Sequence, residues 1–327
     1  MHGPAGSARN ESERGAAAER ELTSQDLIRL EYLTVPEALA PFITTFYLFR
    51  CEERDIRDVQ PAAVGQLMLF LHGQGTMTFH DGNSDPSTRQ NLLTPQSRAA
   101  TVEVTGPLHV FGVVLSPLGW GAISGLDAGK WGNRLLDAVE VLGDGIATLG
   151  EAVRAAYRAN PETDGSDLVA LAAPFLLERV QPLDPGHMRL LRNVALWLGE
   201  SLNPPVEALY ERCTYSRRQV QRLVSRYFGS TPRQLARQYR ALRVVALLNQ
   251  PGITDSQVAG LLENFYDQSH MIREIREFVG RTPARLNSGD APILESLIDV
   301  RNFREIEPKV APLPKDWDKV EKGDNGD

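Results

Sequence analysis

YSRRQVQRLVSRYFGSTPRQL (215–235) and YDQSHMIREIREFVGRTPARL (266–286) are two copies of one segment, offset by 51 residues. Tyr215/Tyr266, Arg222/Arg273, Gly229/Gly280, Thr231/Thr282, Pro232/Pro283 and Leu235/Leu286 are identical, and several other positions exchange one apolar residue for another. Two copies are too few for a solenoid, which needs about three, so they indicate a duplicated subdomain. In the first copy Val220, Leu223, Val224, Tyr227 and Phe228 recur at i, i+3, i+4, i+7 and i+8, one apolar stripe on a helix. Ser216 is placed to cap that helix and Gly229 to end it. PVEALYER (205–212) reads as a short preceding helix starting with Pro205, and CTY as the turn. The pair is a helix-turn-helix.

The polar face of the first copy carries Ser216, Arg217, Arg218, Gln221, Arg222, Ser225 and Arg226. An apolar stripe backed by Arg and Gln suits a recognition helix: one side packs on its partner, and the other offers forked donors to guanine and amides to adenine in the major groove. In the second copy DSQVAGLLEN (255–264) is the supporting helix, capped by Asp255, and Asp267 caps the helix that follows. Met271, Ile272, Ile275, Phe278 and Val279 share its apolar side, leaving Gln268, Ser269, His270, Arg273 and Arg276 for DNA. Ile272 stands where the first copy has Gln221, and Glu274, where it has Leu223, adds a charge that phosphates repel. Less base readout is therefore expected of the second copy. TPRQLARQYRALRVVALLN (231–249), without internal Gly or Pro, reads as one linker helix. About 17 helical residues span roughly 25 Å, somewhat short of the ~34 Å between successive major-groove faces.

The charge distribution supports a polyanion partner. The 327 residues carry a net charge of −7, yet residues 187–288 contain 15 Arg, no Lys and 8 Asp+Glu, a local +7 that leaves −14 elsewhere. With 42% apolar and 24% charged residues the chain is an ordinary globular protein, which excludes full disorder. No run approaches the ~20 apolar residues of a membrane helix, and the N-terminal stretch lacks the apolar core of a signal peptide. Cys51 and Cys213 lie far apart, which suits a reduced, cytoplasmic protein.

Working toward the N-terminus, residues 1–24 are rich in Ala, Gly, Ser, Glu and Arg and read as a disordered tail. FITTFYLFR (42–50), QLMLFLHG (66–73), GTMTFHDG (75–82), AATVEVTG (99–106) and HVFGVVLSP (109–117) read as separate short strands of a small sandwich or barrel. WGNRLLDAVEVLGDGIATLGEAVRAAYRA (131–159) has helical spacing broken near Gly143 and Gly145, and DLVALAAPFLLERV (167–180) is a second helical stretch. The expected fold class is α+β. A β-rich sensor or dimerisation domain with C-terminal helices (25–182) precedes an all-α domain of two helix-turn-helix units (183–288) and a partly disordered extension (289–327).

The C-terminal region resembles the AraC/XylS family of bacterial transcription regulators. The resemblance covers about 185–287 and rests on S-R-R-Q-V-Q-R in the first unit and FYDQSHMIREIREFVGRTPARL in the second. The second copy has the family's G-F/Y turn, polar helix and G-x-[ST]-P, except that Asn264 replaces the turn Gly, an exchange expected to work because Asn enters the left-handed region. Leu261 and Leu262 stand near a position where the family often has Ala. The resemblance implies binding to double-stranded DNA, a β-barrel that senses a small-molecule effector or mediates homodimerisation, and contact with RNA polymerase. TVPEALAPFITTFYLF and HVFGVVLSPLGWGAISG are similar to the N-terminal domain of some members.

Other sites are read as structural, with no cofactor, metal or catalytic residue expected. His72, His80 and His109 lack the His-x-His spacing of a metal-binding barrel and are taken as surface or packed residues. Cys51 and Cys213 have no CxxC partner or zinc spacing. HGQG (72–75) is no phosphate loop, and Ser116 in SPLGWG is not flanked as in a nucleophile elbow. Trp120 and Trp131 are read as core or interface aromatics. The alternatives are a small-molecule-binding β-barrel or enzyme with a helical appendage, whose mark would be a convergent polar cluster within 27–126, and an assembly protein whose Arg helices meet an acidic partner.

Overall fold

The computed structural model describes residues 27–248 and 253–282. The expected tail (1–24), the extension (289–327) and the end of the second copy lie outside the described residues. β1 (Ile28–Leu33), β2 (Ile43–Cys51), β3 (Asp55–Gln60), β4 (Gln66–Thr78), β5 (Ser84–Pro86), β6 (Gln90–Leu93), β7 (Ala100–Leu115) and β8 (Leu135–Asp137) form one antiparallel sheet. Its order is β1-β2-β7-β4-β6-β8, with β3 also on β7 and β5 on β4.

Two strand expectations need correction. The runs 66–73 and 75–82 are one 13-residue strand, and 99–106 and 109–117 are one 16-residue strand. Gly73 (φ +83°) and Gly106–Pro107 bend these strands without ending them: pairing resumes on both sides, with register shifts between Phe70 and Gln74. Glycine is required at 106, where a Cβ would lie 1.9 Å from the Glu53 carbonyl oxygen. The bend lets β7 pair with β2 through its second half and with β3 through its first.

Residues are buried on both faces of the sheet, which explains the continuous apolar run Phe46–Phe49 within β2. Phe46 and Leu48 face a core shared with α4 (Gly145–Ala159) and α5 (Ser166–Arg179), among Leu69, Phe111, Ile146, Val153 and Leu176. Tyr47, Phe49 and Cys51 face the other way, with Ile56, Phe70, Val104 and Val110. Each fully buried large side chain contributes roughly 1.5–3 kcal/mol. Between β7 and α4 come α1 (Pro117–Gly119), a π-helical turn (Trp120–Ser124), α2 (Ala128–Trp131) and, after β8, α3 (Ala138–Leu142). Leu135–Asp137, expected to open a helix, is instead β8. It pairs with Asn91–Leu93, and Arg134 beside it holds Asp85 by two hydrogen bonds of 2.7 and 2.8 Å.

The C-terminal region is helical: α6 (Pro185–Glu200), α7 (Val206–Arg212), α8 (Arg217–Phe228), α9 (Pro232–Leu248), α10 (Asp255–Leu262) and α11 (Gln268–Val279). α9 serves two cores. Leu235 and Tyr239 pack with Leu190, Trp197, Leu223 and Tyr227, while Val244, Val245 and Leu247 pack with Met271, Ile275 and Phe278. Arg243 of α9 is fully buried. It donates to the carbonyls of Leu198 (2.7 Å) and Ser201 (3.1 Å), closing the C-terminus of α6, and burial lowers its pKa to about 10.

Candidate nucleic-acid interface

α8 starts with a capping box. The Gln219 amide N–H donates to Ser216 Oγ (3.4 Å), and Ser216 N–H donates to Gln219 Oε1 (3.0 Å). Gly229 ends the helix at φ +72°. Val220, Leu223 and Val224 are buried, as the stripe requires, while Ser216, Arg217, Arg218, Gln221 and Arg222 are exposed together. Arg226, one helical turn after Arg222, is half-buried, its guanidinium 5.9 Å from the Tyr227 ring. Gln221 Nε2 donates to Tyr210 Oη on α7 (3.0 Å), and the Arg217 guanidinium lies 5.3 Å from the centre of the same ring.

α11 has a simpler start: the His270 amide N–H donates to Asp267 Oδ1 (2.6 Å). Gln268, Ser269, Arg273 and Arg276 are exposed. His270 is half-buried, edge-on to Phe265 and 3.7 Å from Glu274. Glu274 is not a surface charge facing phosphates. It is fully buried, accepting from Arg240 Nε (2.7 Å) and Nη2 (2.6 Å) and from Arg237 Nε (3.0 Å). Both arginines belong to α9, so the acid that replaces Leu223 turns the second core into a charge-paired joint. Ile272 is half-buried at the edge of that core.

Two smaller expectations change at α10. Thr254, not Asp255, is its cap, in a capping box with Gln257. Asn264 does not take the left-handed conformation, which among non-glycine described residues belongs to Asn133. Its amide instead donates to the carbonyls of Gly260 (3.1 Å) and Leu261 (3.3 Å), doing by hydrogen bonding what the turn Gly does by geometry. Leu261 is buried and Leu262 exposed.

The sheet region grips this helical region. The amides of Ala62 and Ala99 donate to the Phe278 (2.8 Å) and Glu277 (3.1 Å) carbonyls in the last turn of α11. Arg98 pairs with Glu277 at 3.0 Å, and Gln238 Nε2 of α9 reaches the Gln96 carbonyl at 3.4 Å. α2 packs against α8, where a Cβ on Gly129 would meet Ser225 Oγ at 2.4 Å.

A second polar group escaped sequence reading. Arg50 Nε donates to Tyr157 Oη (3.1 Å), leaving the phenol proton for His109 Nδ1 (2.9 Å), so His109 Nε2–H donates to Glu52 (2.9 Å). Arg50 also pairs with Glu31 and donates to the Pro161 and Thr163 carbonyls. Burial holds His109 below its usual pKa, partly offset by Glu52. His72 lies edge-on to His109 at 5.1 Å, while His80 is exposed. A convergent polar cluster of the kind that would mark a small-molecule-binding barrel is therefore present in part within 27–126. Cross-strand pairing on β2, β4 and β7 builds it, and Tyr157 of α4 completes it. Its bonds tie the sheet to α4. Among the described residues no three or more His, Cys, Asp or Glu side chains are grouped to hold a metal, and no helix is long and apolar enough to cross a membrane. Both cysteines are free, with burial pushing their thiols up. Trp120 is buried in the sheet–helix core, and Trp131 is half exposed on α2.

Residues 209–288 match the family model described as a helix-turn-helix domain. No curated protein matches the chain. Solved structures similar to it include ToxT from Vibrio cholerae O395, at 11% identity and a TM-score of 0.43 over 81% of this chain and 98% of that one. Another is unsaturated fatty acid bound wild-type ToxT from Vibrio cholerae strain SCE256, at 10% identity and a TM-score of 0.39 over 82% and 96%. With two capped helix-turn-helix units joined by α9, the C-terminal region of this chain is a helix-turn-helix domain.

Proposed function

We propose that the protein is a sequence-specific, DNA-binding transcription regulator that works by binding equilibrium and needs no catalytic group. The observation that carries this reading is the exposed Arg217–Arg218–Gln221–Arg222 face of α8, held on a capped and fully packed helix. α8 reads base edges in one major-groove segment, with Ser216 and Arg226 at its margins. α11 enters the next segment with Gln268, Ser269, His270, Arg273 and Arg276. α9, about 25 Å long, sets their separation, and bending of the DNA makes up the rest. The paired Glu274 no longer opposes phosphates, so the smaller base readout of α11 rests on its shorter set of exposed donors.

The sheet region is the sensing and dimerisation part. A cavity of about 110 Å³, lined by apolar groups from Tyr47, Phe49, Ile56, Met68, Phe70 and Val110, borders a polar cleft of about 450 Å³ near Arg57 and Glu103. The pair suits a small effector with an apolar body and a polar end. Leu171 and Leu177, exposed on α5, mark the homodimer face, and RNA polymerase is the further partner of the DNA-bound form.

The test is genome-wide binding of the full chain followed by footprinting. One enriched motif is expected, with affinity falling steeply as salt rises because neutralised phosphates release counterions. A folded chain that binds no duplex at low salt overturns the reading.

A further inference from the structure

We infer that Tyr210 is a positioning residue for DNA readout: its hydroxyl and ring hold Gln221 and Arg217 in the geometry that meets base edges. The inference rests on the proposed function and deepens it. Arg217 and Gln221 are one helical turn apart on α8, so their side chains leave the same face. Both are exposed, and long exposed side chains ordinarily sample many rotamers, an entropy that binding must then remove. Here one half-buried side chain from the preceding helix engages both. Tyr210 Oη accepts from Gln221 Nε2 at 3.0 Å, and its ring lies 5.3 Å from the Arg217 guanidinium. The body of Tyr210 packs on the core of the first unit, so the holder is itself fixed.

The hydrogen-bond count leaves Gln221 competent. An amide has two N–H donors and a carbonyl with two lone pairs. Tyr210 takes one donor. The other donor and the carbonyl oxygen remain for N7 and N6 of an adenine, the bidentate pairing that distinguishes it. The bond to Tyr210 fixes which edge of the amide carries the donor, which otherwise depends on a free rotation. The second unit has no such device. The repeat places Leu261 at the position of Tyr210, buried in the core, and among the described residues no side chain bonds Gln268. The first unit is therefore the pre-ordered reader.

Binding-site selection and anisotropy titration on the full chain test this with wild type, Tyr210→Phe, Gln221→Ala and the double variant. Tyr210→Phe keeps the ring and deletes only the hydroxyl, and its melting temperature, measured alongside, should match wild type. Its affinity for the selected site should fall about three- to tenfold, the worth of one neutral hydrogen bond. The loss should come with relaxed preference at the same base position that Gln221→Ala relaxes, and the double variant should bind like Gln221→Ala alone. Tyr210→Leu, which also removes the ring beneath Arg217, should relax a second position. Losses that multiply in the double variant overturn the inference. So does an even loss across all sequences, the mark of a phosphate contact, or an unchanged motif in Gln221→Ala. A wild type that enriches no motif is different: it refutes the regulator reading itself.

Discussion

The two helix-turn-helix units are copies of one segment, yet they are stabilised by different physics. The first buries Leu223 among apolar neighbours from α6 to α9, closes its start with a reciprocal capping box and orders its exposed side chains from α7. The second buries a carboxylate at the equivalent position and neutralises it with two arginines of α9. It also hands its last carbonyls to the sheet region. A repeat thus conserves a path for the chain but not the forces along it. The first unit is completed largely by its own helices, and the second is completed by its neighbours.

The strongest way to break this contrast is at the equivalent core positions. Glu274→Ala leaves Arg240 with an unpaired buried charge, and denaturant unfolding should show a loss of about 3–5 kcal/mol. Leu223→Ala leaves only a cavity, costing about 2–5 kcal/mol. Added salt should leave the first loss nearly unchanged, since a buried pair is poorly screened; a Glu274→Ala cost below about 1 kcal/mol would show that the charged joint is not holding α11. Next come the paired arginines on the two exposed faces. Arg222→Ala should relax specificity in one half of the site by about 1–3 kcal/mol, whereas Arg273→Ala should weaken binding evenly across sequences. If selection shows the larger motif change with Arg273→Ala, the dominant reader is α11. The caps are a finer comparison. Ser216→Ala and Asp267→Ala should each cost about 1 kcal/mol in thermal melts. Smallest is Arg98→Ala, which removes a partly exposed ion pair with Glu277 and should cost about 0.2–1 kcal/mol. Its signature is faster amide exchange in the last turn of α11, with none in α8.

Local signals were readable wherever they decide the structure alone. Stripe, cap and terminal Gly placed α8 and α11 closely, because each is a property of one short segment. The β-rich region was legible as a class but not in detail. Gly73 and Gly106–Pro107 look like strand ends in one dimension, and only pairing with β4 and β7 on both sides shows that they are bends. Leu135–Asp137 fits helical spacing as well as it fits a strand, and the free edge of β6 decides. Glu274 was misread because the arginines that neutralise it lie 34 and 37 residues away. The Arg50–Tyr157–His109–Glu52 chain was invisible for the same reason: its members come from two strands, a loop and a helix. Tyr210 gave no motif at all, since its role is a contact between two helices.

The bonds from Ala62 and Ala99 to the end of α11 run from backbone to backbone. Any residue that fits these positions, other than proline, would still make them. Drift in side chains can therefore rewrite the apolar cavity of the sheet or the exposed face of α8 while the sheet keeps hold of the second unit. That connection is inherited with the course of the chain, and a signal that breaks it must move a segment rather than exchange a charge.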